Sequence, residues 1–96
     1  MSNAKAIIKK IQQERHLLDS RYPISRLAIF GSVARNEATP ESDVDIMVEF
    51  SKPIGMQFFS LAGELEKLLQ RKVDLVSKNG IKPVYFAEIE KDLIDV

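Results

Sequence analysis

Apolar residues recur at helical spacing near the start of the chain. Ile7, Ile8, Ile11, Leu17 and Leu18 gather on one side of residues 4–19, with Lys9, Lys10, Gln12, Gln13 and Glu14 mainly on the other. The pattern predicts an amphipathic helix that Ser2 or Asn3 would cap. Pro23 forbids a helical continuation through Tyr22. Leu27-Ala28-Ile29-Phe30 is apolar on both faces and predicts a buried strand that ends at Gly31. Ser32 to Asn36 fits a short helix, and Glu37 to Ser42, with Thr39-Pro40, a loop.

The next run alternates. Val44, Ile46, Val48 and Phe50 face one way, and Asp43, Asp45, Met47 and Glu49 the other, which predicts a strand over 43–50. Ser51 to Gly55, with Pro53, reads as a turn. Phe58, Leu61, Ala62, Leu65, Leu68 and Leu69 form a broad stripe and predict a helix over 56–70, which Gly63 weakens by about 1 kcal/mol relative to alanine. Lys72 to Val76 predicts a short strand, Asn79-Gly80 a turn, and residues 83–94 a final, less regular helix.

The predicted order is α, β, α, β, α, β, α. Strand 43–50, helix 56–70 and strand 72–76 form a crossover unit, so those strands should be parallel with a right-handed connection. The expected fold is α/β (α+β): a small mixed sheet of three or four strands flanked by helices. At 96 residues the chain is expected to be one domain, 1–96, with a modest core.

Charge and composition narrow the function. Fourteen Lys and Arg balance fourteen Asp and Glu, so no bulk basic field exists to grip long nucleic acid. A single nucleotide remains open. The chain has no cysteine, which excludes disulfides and thiolate metal sites. No apolar run approaches the ~20 residues that span a bilayer. Lys9 and Lys10 directly after Ile7 and Ile8 leave no signal-peptide core. A cytoplasmic protein is the expectation, without membrane association.

The candidate chemistry lies in three places. Gly31-Ser32 is a turn that can hold phosphate. Asp43-x-Asp45 follows, and Asp74 interrupts the apolar run Val73 to Val76. Residues two apart on a strand share a face at ~6.6–7 Å. Two carboxylates so spaced can lean onto metals ~3.5–4 Å apart. If the two later strands are neighbours, Asp74 lies one lateral step of ~4.8 Å away. If the first strand runs antiparallel to strand 43–50, the Gly-Ser turn meets the acids. Each piece also has an ordinary reading: a Gly-Ser loop, a chance Asp-x-Asp, a lone structural Asp74. An aspartate in an apolar strand is costly when buried unless it is paired or metal-bound.

The pattern Gly-Ser-x-Ala-Arg at Gly31 to Arg35, followed by Ser-Asp-x-Asp at Ser42 to Asp45, resembles the nucleotidyltransferase superfamily related to DNA polymerase β. Chain length and the third acid in a late strand are similar to the minimal nucleotidyltransferases, the MNT antitoxins of HEPN–MNT pairs. The resemblance covers residues 24–78. It implies Asp43, Asp45 and Asp74 as catalytic ligands of two Mg²⁺ ions, with Asp74 helping to deprotonate an incoming hydroxyl. It implies Gly31, Ser32, Arg35 and Ser42 as nucleotide-binding residues, with Arg35 either on phosphate or bracing the loop. It implies ATP as substrate and a tyrosine of a HEPN-type toxin as AMP acceptor, with an oligomer open through that partner. Two alternatives stay open: an inert antitoxin that neutralises by binding, and a transferase acting on a small molecule or RNA end.

Other residues read as ordinary structure. His16 lies near the charged side of the first helix. Tyr22 and Tyr85 fit core or rim packing. Met47, Met56, Phe58 and Phe59 fit the core. Glu49 stands too far along its strand for the metals, and Lys72 and Lys78 read as solvated. Phe86, Ile89 and Leu93 would pack on the sheet or dock a partner.

Overall fold

The computed structural model describes residues 3–96, the side chain of Asn3 aside; Ser2 and its capping role lie outside the described residues. Four helices and four strands follow in the order α1 (Asn3–Arg21), β1 (Ile24–Phe30), α2 (Gly31–Ala34), β2 (Val44–Phe50), α3 (Gln57–Leu69), β3 (Val73–Ser77), α4 (Pro83–Glu90) and β4 (Ile94–Asp95), with a 3₁₀ turn at Lys78–Gly80. The sheet order is β3-β2-β1-β4. β2 and β3 are parallel, and β1 is antiparallel to both β2 and β4. The expected mixed sheet is thus present, and with it the antiparallel β1–β2 pair and the parallel β2–β3 pair.

One face of the sheet packs on α1 and α3. Ile7, Ile11 and Leu18 of α1 and Leu61, Leu65 and Leu69 of α3 meet Leu27, Ile29, Val44, Ile46, Val48, Val73 and Leu75. These positions share a face because strand residues alternate, and their burial in helix-covered apolar surroundings supplies most of the driving force. Val33 of the one-turn α2 also enters this core and so anchors the chain just after Gly31.

The other face is covered less. Ala28, Phe30 and Met47 pack there against Ile89 of α4, with Phe86 and Leu93 alongside. Phe86 and Ile89 of the last helix, and Leu93 just after it, therefore dock on the chain's own sheet.

Three expectations need correction. The final helix ends at Glu90, and Ile94–Asp95 instead adds a strand to the edge of β1, fixed by pairing with Ile29 and Ala28 and by Arg26 Nε donating to Asp95 at 2.8 Å. Leu17 is not on the buried stripe of α1 but 40% exposed. Met56 and Phe59 are not core: they stand 77% and 66% exposed, because the start of α3 turns them away from the sheet. Tyr22, by contrast, is core, with its hydroxyl donating to Glu64; burial, followed by that carboxylate, pushes its pKa up to about 12.

Candidate active site

The chemistry-bearing residues gather at one end of the less covered face. Phe30, the last residue of β1, lies opposite Asp45 in the antiparallel register. Gly31 follows at φ +74°, a conformation that L side chains rarely adopt. A Cβ built at Gly31 would stand 2.2 Å from Asp45 Oδ2. Both backbone conformation and space therefore require glycine here, and the chain turns hard against the carboxylate. The Arg35 amide closes the turn on the Gly31 carbonyl at 3.0 Å, and Asn36 at φ 62° ends it.

Asp45 and Asp74 are direct register partners across the parallel β2–β3 pair. Their neighbours Val44, Ile46, Val73 and Leu75 all enter the helix-covered core, so the two carboxylates project from the opposite face. Asp43 precedes β2 and is exposed. Its charge still reaches Asp45. Burial pushes the Asp45 carboxyl above its ordinary value, and the charges of Asp74 and Asp43 push the same way, against a downward pull from Arg35. Asp74 is itself exposed, so the cost of burying an aspartate in an apolar strand does not arise there.

Among the described residues, no three His, Cys, Asp or Glu side chains enclose a metal site by themselves. The structure pairs Asp45 with Asp74 in register and leaves Asp43 just before β2, so the three carboxylates do not by themselves make up a metal site. That arrangement suits Mg²⁺, which keeps several waters and commonly binds through one or two carboxylates plus substrate phosphates. The all-oxygen donor set and the mutual repulsion at Asp45 fit a divalent cation.

Arg35 is held on both sides. Its Nε donates to Glu37 at 3.0 Å and its Nη1 to Asp92 at 2.7 Å. The guanidinium is exposed, and solvent and salt screen pairs of this kind. Ser42 closes the preceding loop: its hydroxyl accepts the Thr39 amide at 3.0 Å, and its own amide donates to the Thr39 carbonyl at 3.0 Å. Sequence reasoning missed Asp92, Glu66 and Arg71. Glu66 accepts the Val73 amide at 3.1 Å at the start of β3, and Arg71 reaches the loop before Asp43. Only proximity in the fold marks them.

A cleft of about 460 Å³ lies at the other end of β2 and β3, lined by Phe50, Pro53, Ile54, Phe58 and Asn79 among others. No carboxylate lines it.

The nucleotidyltransferase domain family matches residues 7–96. A Methanocaldococcus jannaschii chain named "putative protein adenylyltransferase" is 46% identical over 98 residues, covering 100% of this chain and 97% of its own. A solved structure described as a "putative minimal nucleotidyltransferase" superposes with a TM-score of 0.74 at 30% identity, covering 99% of this chain and 90% of the other. A Shewanella oneidensis complex of a tri-AMPylated HEPN toxin with its MNT antitoxin shares the fold, at TM-score 0.70 and 21% identity, covering 93% of this chain and 70% of that one.

Proposed function

The chain belongs to the nucleotidyltransferase domain family, and from that premise we propose that it transfers AMP from ATP to a tyrosine of a HEPN-type partner toxin, acting as its antitoxin in the cytoplasm. The observation that carries the reading is the Asp45–Asp74 pair in register, with Gly31 turned against Asp45. The M. jannaschii relative's name supports protein as the acceptor, and the AMPylated toxin of the Shewanella complex supports a HEPN partner.

In this reading Asp43, Asp45 and Asp74 hold Mg²⁺, two ions in the full site. Bound Mg²⁺ neutralises triphosphate charge and stabilises the leaving pyrophosphate. The Gly31-Ser32 turn offers backbone N–H groups and a hydroxyl to the phosphates. The helix that follows is a single turn, so it adds little dipole. Arg35, already near Asp45, exchanges an exposed carboxylate partner for phosphate. Ser42 keeps the loop before Asp43 closed and lies within the nucleotide-binding set.

The acceptor hydroxyl attacks the α-phosphorus. A new oxygen–phosphorus bond forms, the bond to the β-phosphate oxygen breaks, and pyrophosphate leaves. Asp74, exposed beside Asp45, takes the hydroxyl proton. The open face leaves room for an acceptor that brings its own surface.

Incubation with α-labelled ATP, Mg²⁺ and the cognate HEPN partner tests the proposal. Label on a partner tyrosine is the expected result, lost in Asp43→Ala with Asp45→Ala. Neutralisation that survives this double change indicates inhibition by binding alone. Efficient transfer to a small molecule or RNA end without a partner redirects the acceptor. An active partner that stays unlabelled overturns the reading.

A further inference from the structure

We infer that Arg71 is a positioning residue for the carboxylate site, holding the loop that presents Asp43 in register with the strand that presents Asp74. The inference rests on the reading that these carboxylates take a divalent cation with nucleotide.

Arg71 occupies the turn between α3 and β3, directly after Gln70 at φ 53°. Its Nη2 donates to the Thr39 carbonyl at 3.0 Å and to the Ser42 carbonyl at 2.6 Å. Ser42 is the residue before Asp43, and Arg71 is three residues before Asp74. The same turn makes two more ties. The Lys72 carbonyl accepts the Val44 amide at 2.9 Å, and the Val73 amide donates to Glu66 Oε2 at 3.1 Å. The entrances to β2 and β3 are thus fastened at one place, and both acids sit within three residues of it.

Stability alone accounts poorly for an arginine there. Its Nε is buried with no hydrogen-bond partner among the described residues, which is a cost. Its Nη2 donates to a loop with no regular secondary structure. What the guanidinium supplies is geometry: one nitrogen of a planar, rigid group donates to both carbonyls, a position that a flexible ammonium on a longer-ranging stem holds less firmly. Groups that orient metal ligands without touching metal commonly change affinity or activity 10–100-fold when removed.

The test is calorimetric titration of Mn²⁺ with a non-hydrolysable ATP analogue into the wild-type chain, Arg71→Met and Arg71→Lys, well below each thermal midpoint. Arg71→Met is expected to bind about 10–100-fold more weakly, with Arg71→Lys recovering only a small part. Amide hydrogen exchange at residues 42–44 is expected to be faster in both. An arginine with only a structural role would lower the thermal midpoint and leave affinity in the folded protein unchanged, and that result overturns the inference. If Arg71→Met fails to fold, Arg71→Lys decides: wild-type affinity in it overturns the inference, and weakened affinity with faster exchange supports it. A wild-type chain that binds neither cation nor analogue overturns the underlying nucleotide reading, and the inference falls with it.

Discussion

Toward α1 and α3 the sheet presents Leu27, Ile29, Val44, Ile46 and Val48, none more than 1% exposed. Toward α4 it presents Ala28, Phe30 and Met47 and then, past the end of that eight-residue helix, carboxylates. The same strands build both faces, since alternation sends Val44 and Ile46 one way and Asp45 and Met47 the other. The first face can be closed because two long helices cover it. The second is covered by one short helix and carries the carboxylates, and in the proposed reaction the acceptor reaches it. Stability and chemistry are thus divided between the two sides of one sheet, and each side can be broken without the other.

The strongest separation is expected from Asp43→Ala with Asp45→Ala. AMP transfer should fall by at least ~100-fold, the scale set by loss of metal-site groups, while the thermal midpoint stays at or above wild type. Label transfer and a melting curve on the same sample check it. Chelation of divalent cations should abolish transfer in the same way.

Leu65→Ala is the mirror experiment. Leu65 is fully buried in α3, so truncation should cost about 2–5 kcal/mol. In a domain this small each kcal/mol lowers the midpoint by roughly 4–8 °C. Transfer per folded molecule, measured well below the midpoint, should be unchanged. A specific loss of transfer at full folding would mean that the two faces are coupled.

Gly31→Ala strikes both faces at once. The added Cβ meets Asp45 Oδ2, and the backbone is held at φ +74°. The backbone strain costs on the order of 1–3 kcal/mol, and nucleotide affinity should fall with stability. Denaturant unfolding and nucleotide titration measure the two losses.

The smallest effect is a pH dependence. Asp45 has a folded-state pKa raised above its ordinary 3.8, so the folded chain binds its proton more readily than the unfolded chain does. Its contribution is favourable below 3.8 and is lost as pH rises through the folded value. Asp45→Asn removes that penalty. The variant should melt higher than wild type at neutral pH, and the difference should vanish below the ordinary aspartate value. A midpoint difference that grows on acidification would contradict the raised pKa.

Much of this division was legible in the sequence. The alternation over 43–50 separated Asp45 from Val44 and Ile46, and the crossover unit placed Asp74 on a neighbouring parallel strand. What escaped depended on partners distant in sequence. Ile94–Asp95 became a strand only because β1 offered a free edge, while Phe86, Ile89 and Leu93 suggested a helix by their spacing. Met56 and Phe59 looked like core residues, yet they stand exposed while Phe58 and Leu61 beside them pack into the core. Arg71 carried no local signal, since its role comes from a loop about thirty residues away in the chain.

Anomalous scattering from crystals grown with Mn²⁺ and a non-hydrolysable ATP analogue tests the central claim most directly. The account predicts a metal peak in contact with Asp45 and with Asp74 or Asp43, and triphosphate along the Gly31-Ser32 turn. Metal and triphosphate lodged instead in the cleft beside Phe50 and Phe58, with the aspartates bare, would contradict it.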